Sequence, residues 1–122
     1  MDLDSIRNFC LSFPRATEKL QWEGELCFKV GGKIFTMIGL ERVPQPVTFK
    51  CSPENFVELT AREGIAPAAY VGRYKWVTVE APDVLSDAEL QDLISSSYEM
   101  VAAKAKLGGK RPGTRKRKAR AA

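Results

Sequence analysis

There is no histidine among the 122 residues. That absence removes Ser–His and Cys–His catalytic pairs, the usual zinc-hydrolase ligands and the most convenient acid–base group near neutral pH. Cysteine is scarce as well: Cys10, Cys27 and Cys51 are three, widely spaced and without a C-x-x-C pair. An odd number so arranged points to free thiols in a reducing cytosol, not to a disulfide frame or a zinc site. No apolar run approaches the roughly 20 residues of a membrane span. The opening MDLDSIRNF is acidic and then amphipathic, unlike the basic-then-apolar layout of a signal peptide, so a cytoplasmic location is expected. Glycine-rich phosphate loops, cofactor motifs and EF-hand spacing are all missing. Glu23, Glu25 and Glu41 can gather at one end of a sheet, but in no metal-ligand spacing. Cys27 and Cys51 are the candidate nucleophiles if there is one, yet neither has an identifiable base, and both fit strand packing. A non-enzymatic protein without cofactor or metal is expected.

What is present begins with an ordinary apolar fraction of 44%, in a length suited to a single domain with its own core. The formal net charge of +4 hides a division. From Lys104 onward there are nine basic residues and no acidic one, while residues 1–103 carry ten basic against fifteen acidic, a net of −5. The chain therefore divides into a body over residues 1–103 and a basic tail over 104–122. The glycines, proline and like charges of the tail cannot bury a core, so disorder is expected there.

Within the body, residues 26–38 (LCFKVGGKIFTMI) form the clearest unit. Gly31-Gly32 suits the positive φ angles of a tight hairpin turn between two apolar runs. Pairing Val30 with Lys33 sets Phe28 opposite Phe35 and Leu26 opposite Met37. Leu26, Phe28, Val30, Phe35 and Met37 then share one apolar face, with Cys27, Lys29, Ile34, Thr36 and Ile38 on the other. Upstream, Asp4 or Ser5 can cap a helix bearing Ile6, Phe9, Cys10 and Phe13 on one side, ended by Pro14. Residues 16–22 lead into the sheet as an edge strand. Downstream, residues 47–51 alternate with Val47, Phe49 and Cys51 inward. Ser52-Pro53 is a capped helix start and Gly64 its stop. Residues 65–72 read as a loop. Residues 74–80 alternate again, with Val77 and Val79 opposite Trp76 and Thr78. The last helix has a capping box, Ser86 with Glu89, and a stripe of Leu90, Leu93, Ile94, Tyr98 and Val101 ending at Gly108-Gly109. The order α-β-β-β-β-α-β-α predicts an α+β fold, an antiparallel sheet with helices packed on one side.

These features in this order resemble the MmcQ/YjbR family. The matching pieces are the helix ending in Phe13-Pro14, FKVGGKIFTMI, VTFKCSPENFVEL, the strand over residues 74–79 and LSDAELQDLISSSYEMV, together spanning about residues 3–103. The resemblance implies a CyaY-like α+β layout and DNA binding through a double-wing arrangement. It carries over no catalytic residues, and the tail lies outside it.

Three stretches are candidates for contact with nucleic acid. The tail, with Lys110, Arg111, Arg115, Lys116, Arg117, Lys118 and Arg120, suits polyanion binding by counterion release, or simple solubilisation. Arg73, Lys75 and Trp76 interleave cations with aromatics, as phosphate contact plus base stacking requires. Trp76 also fits a role in covering the sheet, the commoner use of a large aromatic. Lys29 and Lys33, flanking the Gly-Gly turn, suit a wing that crosses a phosphate backbone; such turns also serve only to reverse the chain. Lys50 completes the body set, near Lys29 and Trp76 if their strands are neighbours. The expected partner is DNA, with no membrane and a monomeric state. The alternatives are a protein- or peptide-interaction module, or a small-molecule or metal-binding protein.

Overall fold

The computed structural model describes residues 1–69 and 72–108, with the side chains of residues 73 and 106–108 outside that description. Helix α1 (Leu3–Leu11) leads into strands β1 (Thr17–Gln21), β2 (Glu25–Val30), β3 (Lys33–Gly39) and β4 (Val47–Lys50). Helix α2 (Pro53–Thr60), a short β5 (Ile65–Pro67), β6 (Trp76–Val79) and the long α3 (Asp87–Gly108) complete the chain, with 3₁₀ turns at Gly72–Tyr74 and Pro82–Val84. The six strands form one antiparallel sheet in the order β1-β2-β3-β4-β6-β5. Ile6 and Cys10 of α1, Leu59 of α2, and Leu90, Ile94 and Val101 of α3 join the inward strand residues in one core. This is the expected α+β sheet with helices on one side. Among the described residues no helix is long and apolar enough to cross a membrane.

Local chemistry explains most of these elements. Ser52 caps α2 by accepting from the Asn55 N–H at 3.1 Å, with Pro53 at the first helical position. Ser86 caps α3 by accepting from the Glu89 N–H at 3.1 Å. The return half of the expected capping box is replaced by a tertiary contact: the Glu89 carboxylate accepts from Arg62 at 2.7 Å, tying the end of α2 to the start of α3. At α1 the cap is Asp2, not Asp4 or Ser5, and its carboxylate accepts from the Ser5 N–H. The expected loop over residues 65–72 contains β5, which adds a short edge strand against β6. The last strand begins at Trp76 because Lys75 has φ +69°, which breaks the alternation expected from residue 74.

The hairpin differs from expectation by one residue, and that residue shapes the molecule. Val30–Lys33 and Lys29–Ile34 pair as expected, but Phe28 pairs with Thr36, Cys27 with Met37 and Leu26 with Ile38. Phe35 is an extra residue, a β-bulge, and beyond it every side chain of β3 changes face. Thr36 and Ile38 are therefore inside, at 0% and 1% exposure, while Met37 lies on the opposite face. The bulge lets Phe35 also point inward, edge-on to Tyr98 of α3 and to Phe13, with ring centroids 5.3 and 5.9 Å away.

A bulge leaves ladder groups without strand partners, and here one hydroxyl serves two of them. Ser97 of α3, wholly buried, donates to the Phe35 carbonyl at 2.6 Å and accepts from the Lys50 N–H at 3.0 Å. Pairing between β3 and β4 accordingly ends at Thr36–Phe49. About two turns of α3 further on, the Gly31 corner of the hairpin meets the helix at Ala105. Gly31 has φ +58°, and a Cβ there would sit 2.5 Å from the Ala105 Cβ.

Ser97→Ala should lower unfolding stability by about 1–3 kcal/mol in denaturant titration, because it orphans a buried carbonyl and a buried N–H together. A loss below about 0.5 kcal/mol would mean that water takes over both bonds. Gly31→Ala should be destabilising by about 1–3 kcal/mol through strain and overpacking. Ala105→Gly in that background should recover the packing part alone, as read by the same titration.

Candidate nucleic-acid interface

Where β3 and β4 part, the outward face of the sheet opens into a groove of about 370 Å³. Five elements bring side chains to it. Lys29 comes from β2, Lys33 and Ile34 from β3, Lys50 from β4, and Trp76 from β6, whose register sets it directly across from Lys50. Val101 and Lys104 arrive from α3, three residues and so about one turn apart on the same side of the helix. Val101 is 6% exposed and also belongs to the core, so it forms the floor; Ile34 and Trp76 are half-buried beside it. Lys33 and Lys104 are exposed, and Lys29 and Lys50 half-buried. An apolar floor with a cationic rim results. No carboxylate lines it, and none of its lysines forms an ion pair among the described residues.

Lys50 records the electrostatics of this arrangement. Its ammonium lies 3.4 Å from the Tyr74 carbonyl oxygen, to which it donates. Burial, with the like charge of Lys104 nearby, holds its pKa below the usual lysine value of 10.5. The groove thus presents a partly desolvated cation that an incoming anion would relieve.

The structure brings together four of the six body residues singled out from the sequence: Lys29, Lys33, Lys50 and Trp76. Lys75 is elsewhere. Its positive φ turns it off the strand, and its ammonium sits 4.9 Å from the centroid of the Phe56 ring on α2. Arg73 occupies the 3₁₀ turn, with its side chain outside the described residues. The tail cations Lys110, Arg111, Arg115, Lys116, Arg117, Lys118 and Arg120 also lie outside them. At the hairpin tip expected to act as a wing, Gly31 lies close to Ala105, while Gly32 has open space around it and Lys33 is exposed.

Lys104, Ile34 and Val101 are the groove residues that sequence reasoning missed. Lys104 was grouped with the tail by charge, whereas α3 continues through Gly108 and carries it on the helix. The spacing from Val101 was its one local signal. The cysteines have no place in the groove. Cys10, Cys27 and Cys51 are all buried; burial pushes the Cys10 thiol up to about 12 and raises the other two as well. Glu23, Glu25 and Glu41 form no metal-ligand group, and no cluster of three or more His, Cys, Asp or Glu does so among the described residues.

The family model described as YjbR matches residues 11–100. An uncharacterised protein of Escherichia coli O157:H7, YbdF, is 30% identical over 75 residues, which cover 61% of this chain and 62% of that one. The match thus spans less than two thirds of the length of that curated relative. Among solved structures, a Deinococcus radiodurans protein with a DUF419 domain superposes with a TM-score of 0.79 at 26% identity, covering 86% of this chain and 81% of that one. A Pseudomonas syringae protein superposes with a TM-score of 0.67 at 20% identity, over 83% of this chain and 99% of the other, a likeness of fold alone.

The lowered pKa of Lys50 has a consequence for stability. A protonated amine whose folded pKa is below its unfolded one opposes folding at neutral pH, and that penalty fades as pH rises through the folded pKa towards 10.5. Lys50→Met should therefore keep or raise the Tm at neutral pH, with any gain shrinking in alkali, as followed by thermal unfolding across pH. A drop of more than a few degrees would show that the bond to the Tyr74 carbonyl outweighs the charge cost.

Proposed function

The chain belongs to the YjbR family, and we propose that it is a nucleic-acid-binding protein whose folded contact surface is the four-lysine groove. One observation carries this reading. A folded body with 12 basic and 15 acidic residues over 1–108, a net charge of −3, gathers Lys29, Lys33, Lys50 and Lys104 around one cavity that no carboxylate lines among the described residues. Like charges so placed repel one another and add nothing to the core, so their use lies in an anionic partner. Trp76 at the floor adds an aromatic face, which distinguishes nucleic acid from a simple polyanion. DNA is the partner the family resemblance favours. The tail, by charge, supplies sequence-independent affinity and faster association. A cytoplasmic setting fits three free cysteines.

A protein- or peptide-binding role draws on a different place. Strand β1 is an edge of the sheet, and Leu20 and the adjoining Trp22 are 61% and 67% exposed there. An extended peptide can add to such an edge.

The test is anisotropy of labelled mixed-sequence DNA across a salt series, using the full chain. Replacing Lys29, Lys33 and Lys50 together by Gln should reduce the magnitude of the log–log salt slope by about 2–3, since each lost phosphate contact removes roughly 0.7–0.9. An unchanged slope would assign the binding to the tail and remove the groove from it. A complete absence of binding would leave the β1 edge as the better site.

A further inference from the structure

Resting on that reading, we infer that the groove takes unpaired nucleotides of a single strand, with one base stacked on Trp76 and the flanking phosphates on the lysines. The first reason is shape. Proteins that read a duplex insert a convex element into its grooves. The surface on which Lys29, Lys33, Lys50 and Lys104 come together with Trp76 is concave. Its volume of about 370 Å³ is near the lower end of the roughly 300–1,000 Å³ typical of small-molecule sites. That is room for a nucleotide unit, not for a double helix.

The second reason is the placing of the apolar surface. Trp76 and Ile34, half-buried, and the buried Val101 line the same groove as the exposed Lys33 and Lys104. In a duplex the base faces are stacked on one another and the phosphates point outward, so Trp76 would meet no free π-face. An unpaired base can leave its stack, enter the recess and lie against the indole. The third reason is the number of cations. Four lysines from β2, β3, β4 and α3 surround the opening on more than one side. One phosphate needs fewer, whereas a backbone crossing the opening brings a phosphate on either side of the inserted base.

The experiment compares a single-stranded oligonucleotide, the same sequence as a duplex and a free mononucleotide, each titrated into the full chain at fixed moderate salt. The reporter is the fluorescence of Trp76 in a Trp22→Phe background, which leaves it the sole tryptophan of two. Trp22 is exposed, so this change leaves the fold in place. The single strand should quench Trp76 and bind at least about ten times tighter than the duplex. Trp76→Leu should weaken the single strand roughly 5- to 100-fold, the range for losing one base–aromatic stack, and leave the duplex unaffected. If Trp76→Leu fails to fold, the quenching arm still decides. Equal affinity for strand and duplex without quenching would overturn the inference, and so would a mononucleotide binding as tightly as the strand. Lys50→Gln separates the two levels. If it weakens both nucleic acids while Trp76 stays silent, the groove reading stands and the single-strand inference falls; if it weakens neither, both fall.

Discussion

The hydroxyl of Ser97 is the interaction on which the shape of this molecule depends. The bulge at Phe35 leaves a carbonyl on β3 and an N–H on β4 that cannot reach each other, and burial makes either one expensive to leave alone. Ser97 meets both from the middle of α3, at 2.6 and 3.0 Å, and is itself inaccessible to solvent. A single side chain thereby closes the back of the sheet while the strands in front of it separate. The same contact sets the height at which α3 lies on the sheet, and the aromatic group of Phe13, Phe35 and Tyr98 sets its rotation, Phe13 and Tyr98 stacking at 4.5 Å.

Two consequences follow for the surface. With α3 held there, its final turns run under the hairpin corner, and only a glycine at position 31 lets Ala105 pass. One side of the corner is then packed on the helix, while Gly32 and Lys33 stay exposed. The opening has the buried Val101 at its floor and the lysines of three strands around it, together with Lys104. Nothing in the core requires that gathering. The like charges and the desolvated ammonium of Lys50 oppose folding mildly, which is the pattern of a site kept for a partner and offset by the packing behind it.

Similarity of fold does not decide what such a groove is for. The YjbR and DUF419 relatives show that the α+β layout recurs across bacterial sequences of modest identity, yet one fold hosts many activities. The case for nucleic acid rests on chemistry at a place: four ammonium groups, one indole and an apolar floor, on a body of opposite net charge. The edge strand β1, with Leu20 and Trp22 exposed, has apolar surface but no comparable charge pattern.

Local signals were sufficient for much of this fold. Caps at Ser52 and Ser86, the Gly31-Gly32 turn, the alternation in β4 and the apolar stripe of α3 are all short-range patterns, and each formed where its residues predict. The neighbourhood of Lys29, Lys50 and Trp76 was also within reach once β4 and β6 were placed side by side. What the sequence by itself could not determine was parity and contact. A bulge changes which face every later residue occupies, yet no residue type announces it, because Phe35 and Thr36 suit either side of a strand. The cap return of Glu89 was overridden by Arg62, and the strand start by the left-handed Lys75, both through interactions with distant parts of the chain. Lys104 was legible as charge but not as position, since only the packing of α3 against Gly31 and Phe35 carries it to the groove. Sequence determined which elements form, because capping and periodicity act over a few residues. Tertiary structure decided where their surfaces meet, because a buried carbonyl and N–H had to find one serine some 50 to 60 residues away.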